Sequence, residues 1–406
     1  MNGEARQTLM PVADALKRVL AGVHKLGTEV VPLSKAAGRV LAEDVKARVS
    51  HPPADVSSMD GYAVRAADVV SVPATLKLIG ESSAGDGFAG SVGPGECARI
   101  FTGAPVPDGA DAIVIQEDTD KDGDAITMKE SSKAGRYIRP AGLDFKKDQV
   151  LLTQGMRLSA RHIGLAAGMN VPQLTVYRKP KVALLGNGNE LIEPGNKVGP
   201  HQILNSNTVA LMAFVAAIGG EPVDLGIARD TVESLKEKIT AAQDCDLLVT
   251  MGGASVGDYD LVQQVLGGEG FDLDFYRIAM RPGKPLIFGH IGKQPVLGLP
   301  GNPVSVGVTS LVFLKPALEK MLGLSPEDKP VATAILGSDL EENDRRQDYL
   351  RARLSYAENG ERIATPFNKQ DSSMMATLAH ADCLIVRSPH AEAIQQGSRV
   401  EIIELP

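Results

Sequence analysis

The chain has 406 residues and a mass of 42.8 kDa, and roughly 100–200 residues per domain predicts two to four domains. Its hydrophobic fraction of 43% and charged fraction of 23% are typical of a globular protein. The net charge of −8 argues against a protein that binds nucleic acid mainly through phosphates. No segment approaches the roughly 20 apolar residues of a membrane helix, and the N-terminus lacks the apolar core of a signal peptide.

These features predict a cytoplasmic protein with neither a membrane nor a nucleic acid as partner. The three cysteines, Cys97, Cys245 and Cys383, are far apart and form no CxxC pair, which argues against a disulfide framework or a structural zinc site. The 42 glycines and 25 prolines indicate many short strands and loops rather than a helical bundle.

The N-terminal part of the chain contains two kinds of sequence pattern, one helical and one strand-like. Helical spacing of apolar residues predicts helices over 11–24 and 159–169, the second with Ser159 as its N-cap. Strand-like segments separated by turn sequences lie between them, at 74–80, 110–116 and 125–129. We therefore expect a β-rich domain over 29–143, inserted into a helical hybrid domain formed by 1–28 and 144–180.

From residue 181 strands alternate with helices, which predicts an α/β domain over 181–327 with a mostly parallel sheet. The predicted strands are 181–186, 222–228, 246–253, 275–280, 285–289 and 295–300. The predicted helices are 206–219, 229–242 with Asp230 near its N-cap, 258–267, and a single long helix over 302–322. A linker at 322–330 precedes an all-β domain over 328–406, a barrel or sandwich with strands at 331–336, 349–357, 382–386 and 399–405. The fold class is thus multidomain, α/β plus β.

Four glycine-rich loops follow strands of this α/β domain, at 186–195, 250–260, 279–289 and 298–308. Ligands on parallel sheets bind at the carboxyl ends of strands, where backbone amides at helix starts attract oxyanions. None of the loops has the GxGxxG or GxxxxGK[ST] pattern, so they do not indicate a dinucleotide or P-loop site. Each loop alone could be an ordinary turn, but together they predict a ligand site.

Three acidic residues, Glu190, Asp230 and Asp260, are predicted at these strand ends. The repulsion between two like charges 4 Å apart costs about 4 kcal/mol at an effective dielectric constant near 20. This is more than the attraction between a helix N-terminus and a phosphate contributes. A divalent cation with oxygen ligands, such as Mg²⁺, would remove that repulsion. We therefore expect a phosphorylated ligand bound through Mg²⁺, provided that the acids converge.

Two further motifs lie in the β-rich domain, and each alone would be interpreted as a turn. Asp60 lies in SSMDGYAVR, and Thr102 lies in FTGAPVPDGADAIV. In order along the chain, these are followed by GNGNEL, GGASVGDYD, RPGKP and GLPGNPVS. This series closely resembles the molybdopterin molybdenumtransferase family, which includes the C-terminal part of gephyrin. The last eighty residues fit the family less tightly.

The resemblance implies an enzyme that inserts molybdate into adenylylated molybdopterin, hydrolyses the pyrophosphate link with Mg²⁺ as cofactor and releases AMP. It also implies a homodimer whose active site is shared between subunits. The molybdopterin adenylyltransferase and molybdoenzyme apoproteins are candidate partners. Two alternatives are a molybdopterin adenylyltransferase, which shares the α/β domain, and a catalytically idle scaffold of the gephyrin kind.

Matched to the family's motifs, Asp60, Thr102, Asp144 and Glu190 are expected to be catalytic, and Asp260 to bind Mg²⁺. The expected substrate-binding residues are Asp230, Gly252, Gly253, Ser255, Gly257, Arg277, Arg281, Lys284, Pro300, Gly301, Asn302, Pro303, Arg351 and Ser372. Among these, Arg281, Arg351 and Ser372 are expected to hold the molybdate oxyanion. The chain departs from the family in three places: Asn189 and Asn205 replace frequent aspartates, and Ser373 replaces a frequent histidine.

Overall fold

The structure is a computed structural model that describes residues 9–252, 267, 270–325 and 331–405. The chain divides into two compact units, one comprising Val30–Val176 and the other combining Met1–Glu29 with Tyr177–Pro406. The predicted helix over 258–267 and the end of the predicted linker lie largely outside the described residues. No helix within the described ranges is long and apolar enough to cross a membrane.

The Val30–Val176 unit contains a six-stranded sheet, which confirms the predicted β-rich character of this region. In spatial order its strands are Ala112–Ile115, Gly61–Val64, Glu96–Ile100, Ala74–Ser82, Ala125–Met128 and Thr119–Asp122. The strands Gly61–Val64 and Glu96–Ile100 are absent from the sequence prediction. Gly61–Val64 is buried at every position, and its four residues are too few to show a strand periodicity.

A second core in this unit surrounds the helix Ala160–Gly168, close to its predicted bounds. The Ser159 backbone N–H donates to His162 Nδ1 at 3.0 Å, which satisfies one of the free donors at the helix start. The short strands around this core are Thr28–Pro32, Val45–Lys46, Val150–Leu152 and Gln173–Tyr177. A further pair of short strands, Val56–Ser57 and Ile138–Arg139, lies outside it. The 3₁₀ turns are Leu33–Lys35, Ala66–Val69 and Gln116–Asp118.

The other unit is built on a six-stranded mixed sheet, in agreement with the predicted α/β domain. Its spatial order is Glu221–Ala228, Lys181–Asn187, Leu247–Met251, Gln294–Leu299, Ile287–Ile291 and Phe271–Tyr276. The first four strands pair in parallel, and Ile287–Ile291 pairs antiparallel with both of its neighbours. One face packs on the helices Val12–Gly22, Ser206–Ile218, Pro303–Thr309 and Lys315–Met321, and the other on Val232–Ala241. Because both faces are covered, the central strands are apolar throughout.

Three local predictions in this unit are wrong. The helix predicted over 229–242 begins at Val232, and its N-cap is Thr231, whose Oγ1 accepts the N–H of Ser234 at 3.2 Å, rather than Asp230. The predicted long helix is interrupted by a π-helical segment, Ser310–Leu314. The strand predicted over 275–280 breaks at Arg277, whose φ of 74° is incompatible with a strand.

The C-terminal region forms a closed five-stranded barrel. Around the barrel the strands are Gln347–Tyr356, Arg362–Pro366, Ala332–Leu336, Arg399–Glu404 and Cys383–Arg387, which returns to the first strand. Arg362–Pro366 was not predicted. Two small elements accompany the barrel, the strand Met280–Arg281 and the helix Met375–Ala379. The α/β sheet and the barrel together confirm the predicted fold class, while the predicted domain boundaries stay predictions.

The three cysteines are free thiols. Burial raises the pKa of both Cys97 and Cys383 to about 12, so these thiols stay protonated at neutral pH.

Candidate active site

A cavity of about 680 Å³ opens at the carboxyl ends of the parallel strands. Strand-end residues, the start of the Ser206–Ile218 helix and the start of the Pro303–Thr309 helix line it, together with a segment beside the barrel. The lining residues are Gly186, Asn187, Glu190, Leu191, Val198, Ile203, Leu204, Asn205, Ser206, Asn207, Met251, Gly252, Gly301, Asn302, Pro303, Ser373 and Met375. The predicted residues Glu190, Gly252, Gly301, Asn302 and Pro303 are therefore brought together.

Close backbone packing explains the glycines at the floor of this cavity. Gly252 has a φ of 89°, and a Cβ placed on it would lie only 2.6 Å from the carbonyl oxygen of Asn187. A Cβ on Gly301 would lie 3.5 Å from Gly252 Cα. The ends of three neighbouring strands therefore approach one another through their backbones, which leaves room above them for a ligand.

The loop at 186–195 is held by hydrogen bonds between amide groups and the carboxylate of Asp230. Asn187 is buried, and its Nδ2 donates to Asp230 Oδ1 at 3.3 Å. The Asn189 backbone N–H donates to Asp230 Oδ2 at 3.1 Å, and Asn189 Oδ1 accepts the Asp230 N–H at 3.2 Å. Arg229 Nη1 also donates to the carbonyl of Leu191 at 3.1 Å. Asp230, expected to bind substrate, thus holds the loop through both of its carboxylate oxygens.

Among the described residues, the Oδ1 of buried Asn187 has no hydrogen-bond partner. A buried acceptor without a donor costs about 1–3 kcal/mol, so this atom points to a bound donor or cation. Sequence reasoning singled out the loop but not Asn187. The sequence feature that could have identified Asn187 is its place as a polar residue at the end of an otherwise apolar strand.

Three further asparagines fix the far side of the cavity. Asn205 is buried, its Oδ1 accepts Thr208 Oγ1–H at 2.9 Å, and its Nδ2 donates to Glu193 Oε1 at 3.4 Å. Asn207 Nδ2 donates to the carbonyl of Gly301 at 2.8 Å. Asn302 occupies the N-cap position as expected, but its Nδ2 donates to Ser372 Oγ at 2.8 Å instead of capping the helix. Asn205 and Asn207 were not predicted as site residues.

The three residues expected to hold an oxyanion have separate partners. Arg281 forms ion pairs with Asp348 and with Asp344, the latter at 3.3 Å. Arg351 is buried, with Nε donating to Gln370 Oε1 at 3.0 Å and Nη1 to the Asp371 carbonyl at 2.7 Å. Ser372 is bonded to Asn302, as described above. A shared oxyanion site stays a prediction.

The remaining residues of the basic and proline loops lie as follows. Arg277 packs over the ring of Tyr276, 4.9 Å from its centroid. Lys284 is half-buried, and its carbonyl accepts the N–H of Ile278 at 3.0 Å. Pro300 is buried at the end of its strand. The expected site residues Gly253, Ser255, Gly257 and Asp260 lie outside the described residues.

In the Val30–Val176 unit, Asp60 and Thr102 form a hydrogen-bonded pair. Asp60 Oδ1 accepts the backbone N–H of Thr102 at 2.7 Å and its Oγ1–H at 2.8 Å. These two bonds, with the positive charge of Arg99, hold the pKa of Asp60 below its usual value. Asp60 is exposed, so it presents an ionised carboxylate to solvent. Asp144 lies on another exposed loop, where its N–H donates to the carbonyl of His51 at 3.0 Å.

The described residues do not form a complete metal site. Within 9–252, 267, 270–325 and 331–405, no three His, Cys, Asp or Glu side chains are grouped as metal ligands. The cavity lining includes the Asn187 side chain, whose Oδ1 has no partner among the described residues, and the Glu190 side chain.

Replacing Gly252 by alanine tests the close strand-end packing. The new Cβ would collide with the Asn187 carbonyl, so Gly252→Ala should lower the free energy of unfolding by about 1–3 kcal/mol more than Gly270→Ala. Gly270 is the matched control, because its φ of 78° imposes a similar backbone cost and no atom of the described residues lies within 4 Å of its Cβ position. Urea denaturation measures both variants, and equal losses would contradict the packing described.

The ion pair between Asp344 and Arg346 predicts an acid-dependent stability. Hydrogen bonds from Arg346, opposed by burial, lower the pKa of Asp344 to about 2 from an ordinary value of 3.8. The folded state therefore gains stability from this carboxylate above pH 4 and loses it as the pH falls toward 2. Asp344→Asn should cost no more than about 1 kcal/mol at pH 7, because the pair is half-exposed. That cost should vanish near pH 2 in pH-dependent urea melts, and a cost that persists there would contradict the low pKa of Asp344.

Comparisons with known proteins place this geometry in a family. Residues 10–169 match the MoeA N-terminal region (domain I and II), 183–320 match a probable molybdopterin binding domain, and 333–405 match the MoeA C-terminal region (domain IV). A molybdopterin molybdenumtransferase from Nostoc sp. is 35% identical over 388 residues, covering 93% of this chain and 89% of the relative. One from Haemophilus influenzae is 34% identical over 378 residues, covering 92% and 93%.

The solved structure of a molybdopterin biosynthesis MoeA protein from Pyrococcus horikoshii is also similar. It is 33% identical, covers 98% of this chain and 99% of its own, and has a TM-score of 0.84. With relatives above 30% identity along nearly its full length, the chain belongs to the molybdopterin molybdenumtransferase family.

Proposed function

We propose that this transferase inserts molybdate into adenylylated molybdopterin, with hydrolysis of the pyrophosphate link and release of AMP. The observation that carries the proposal is the cavity at the strand ends, with the orphaned amide oxygen of Asn187 beside it. Its volume of about 680 Å³ is within the ~300–1,000 Å³ typical of small-molecule sites. The membership of the chain in the family supports the same reaction.

The lining of the cavity suits the nucleotide end of such a substrate. One wall is apolar and includes Leu191, Ile203 and Leu204, a surface on which a flat heterocycle can pack. The lining also includes Asn207, Asn302 and residues of the glycine-rich turns, which supply polar groups. Stiff, hydrogen-bonded loops of this kind bind a ligand with little loss of conformational entropy.

The residues at the cavity fit a magnesium ion. Mg²⁺ prefers oxygen donors, needs few protein ligands and keeps several waters, so Asn187 Oδ1 and the Glu190 carboxylate would suffice to hold it beside substrate phosphates. Asp260, the first choice for this ion, lies outside the described residues. Bound there, Mg²⁺ would neutralise phosphate oxygens and polarise the phosphorus toward attack.

Asp60 is proposed to orient the attacking water. Its lowered pKa keeps the carboxylate ionised, and Thr102 fixes Oδ1, which leaves Oδ2 to accept a proton of the water. The water oxygen forms a bond to a phosphorus of the link while the bridging P–O bond breaks, and AMP leaves. Glu190 is the other proposed base. Asp144 is proposed as a further acidic residue of the active site that the two subunits share.

The test is incubation of the purified protein with adenylylated molybdopterin, Mg²⁺ and molybdate, with AMP and active cofactor both measured. Asp60→Asn should reduce AMP release by about 10²–10⁴-fold, the usual contribution of general base catalysis, and should leave AMP affinity unchanged. The control Asp120→Asn removes an exposed carboxylate that pairs with Lys129 at 3.0 Å in the same domain, and should retain full activity.

Consumption of ATP with molybdopterin, in place of AMP release, would instead identify an adenylyltransferase. No turnover in either direction would favour a scaffold. We also propose a homodimer in which Asp60 of one subunit serves the cavity of the other, as the family resemblance implies. Mixing inactive Asp60→Asn with inactive Asn187→Ala protein should then restore AMP release, whereas mixtures that stay inactive would contradict a shared site.

A further inference from the structure

The Asp60 carboxylate lies where three strands end together. In the sheet register Gly61 is opposite Ile100 on one side and opposite Ile115 on the other. Asp60 precedes this row, and Thr102 and Gln116 follow it closely on the two neighbouring strands. The Gln116 backbone N–H donates to the carbonyl of Asp60 at 3.1 Å. The position of the carboxylate therefore depends on how these three ends are held.

Arg99 connects these strand ends with one side chain. It lies directly opposite Tyr62 in the antiparallel pair. Its Nη1 donates to the carbonyl of Gly61 at 3.1 Å, and its Nη2 donates to Gln116 Oε1 at 2.6 Å. The two bonds reach the residue that follows Asp60 and the residue that binds the Asp60 backbone.

Two aromatic rings hold the guanidinium in this position. The guanidinium carbon of Arg99 lies 5.2 Å from the centroid of the Tyr62 ring and 4.8 Å from that of Phe101. A planar guanidinium stacks on such rings and donates in two directions at once, whereas the ammonium of lysine is a single, strongly hydrated point. The arrangement is therefore specific for arginine.

We propose that Arg99 is a positioning residue, which fixes the Asp60 turn between Gly61 and Gln116 so that the carboxylate is held in place to orient the attacking water. Its role in turnover rests on the proposed function of Asp60, but the positioning itself does not. Arg99 contributes to the low pKa of Asp60 after the two hydrogen bonds from Thr102. The charge of Arg99 thus acts on the Asp60 carboxylate, while its hydrogen bonds hold the residues on either side of the Asp60 backbone.

The experiment follows the amide proton of Thr102 by NMR in the full-length protein across pH 2–7, because this N–H donates to the Asp60 carboxylate. In Arg99→Met the titration of that amide should move to higher pH, since the carboxylate loses a favourable charge and its fixed geometry. Arg99→Lys should recover part of the shift, because it restores the charge without the paired hydrogen bonds.

Arg136→Met is the matched control. Arg136 also binds a backbone carbonyl, that of Ser131 at 2.9 Å, and packs over an aromatic ring, that of Tyr137 at 4.9 Å, in the same unit. A general loss of packing would affect both variants, but only Arg99→Met should move the Thr102 titration. If Arg99→Met does not fold, Gln116→Leu breaks the same link and should produce a smaller shift in the same direction.

With adenylylated molybdopterin, Arg99→Met should lower kcat for AMP release by about tenfold, less than loss of the base itself, with KM unchanged. The acid limb of the pH profile should move upward with the Thr102 titration. A Thr102 titration identical to that of the wild type would overturn the positioning role. If Arg99→Met shifts the Thr102 titration but the wild-type protein itself releases no AMP, the positioning role stands and the proposed function is refuted.

Discussion

Burial of the parallel strands on both faces is the constraint on which the site depends. Lys181–Asn187, Leu247–Met251 and Gln294–Leu299 are covered by helices on both faces, so their interiors contain apolar side chains almost throughout. Apart from buried Thr250, the polar residues of these strands lie at their ends. Because parallel strands end at the same edge, Asn187, Gly252 and Gly301 come together although they are far apart in sequence.

The edge is built with amides where an acidic site would otherwise be expected. Asn187 and Asn205 donate hydrogen bonds through their side-chain Nδ2 atoms, to Asp230 and Glu193 respectively, which an ionised aspartate cannot do. Asn205 donates to Glu193, and Asn189 exchanges two bonds with the loop of Asp230. The amides add no negative charge to this edge, so a phosphorylated ligand would meet less repulsion than from aspartates at the same positions.

The sequence predicted the elements whose patterns are local and long. The apolar strand at 181–186 and the helix at 206–219 were found within a residue or two of their predicted ends, because burial on both faces and a helical period are visible in the residues themselves. The strand Gly61–Val64 was missed, since four residues that begin with glycine carry no such pattern. The π-helical Ser310–Leu314 was also missed, because it depends on packing against distant segments.

The site was predicted in outline from loop motifs but not in its detailed contacts. Glycine-rich strand ends indicated a ligand cavity, and Glu190 and Asn302 do line it. The partners of Asp230 and Arg281 could not be predicted, because they belong to residues brought close only by the fold: Asn187 and Asn189 for the former, Asp344 and Asp348 for the latter. Likewise nothing near Arg99 in the sequence shows that Gln116 will face it.

The decisive experiment is a crystal structure of the protein soaked with AMP and Mg²⁺. The nucleotide should lie in the strand-end cavity, with its phosphate near Asn187 and Glu190 and its base against Leu191, Ile203 and Leu204. Nucleotide bound at another surface, with that cavity empty, would contradict it.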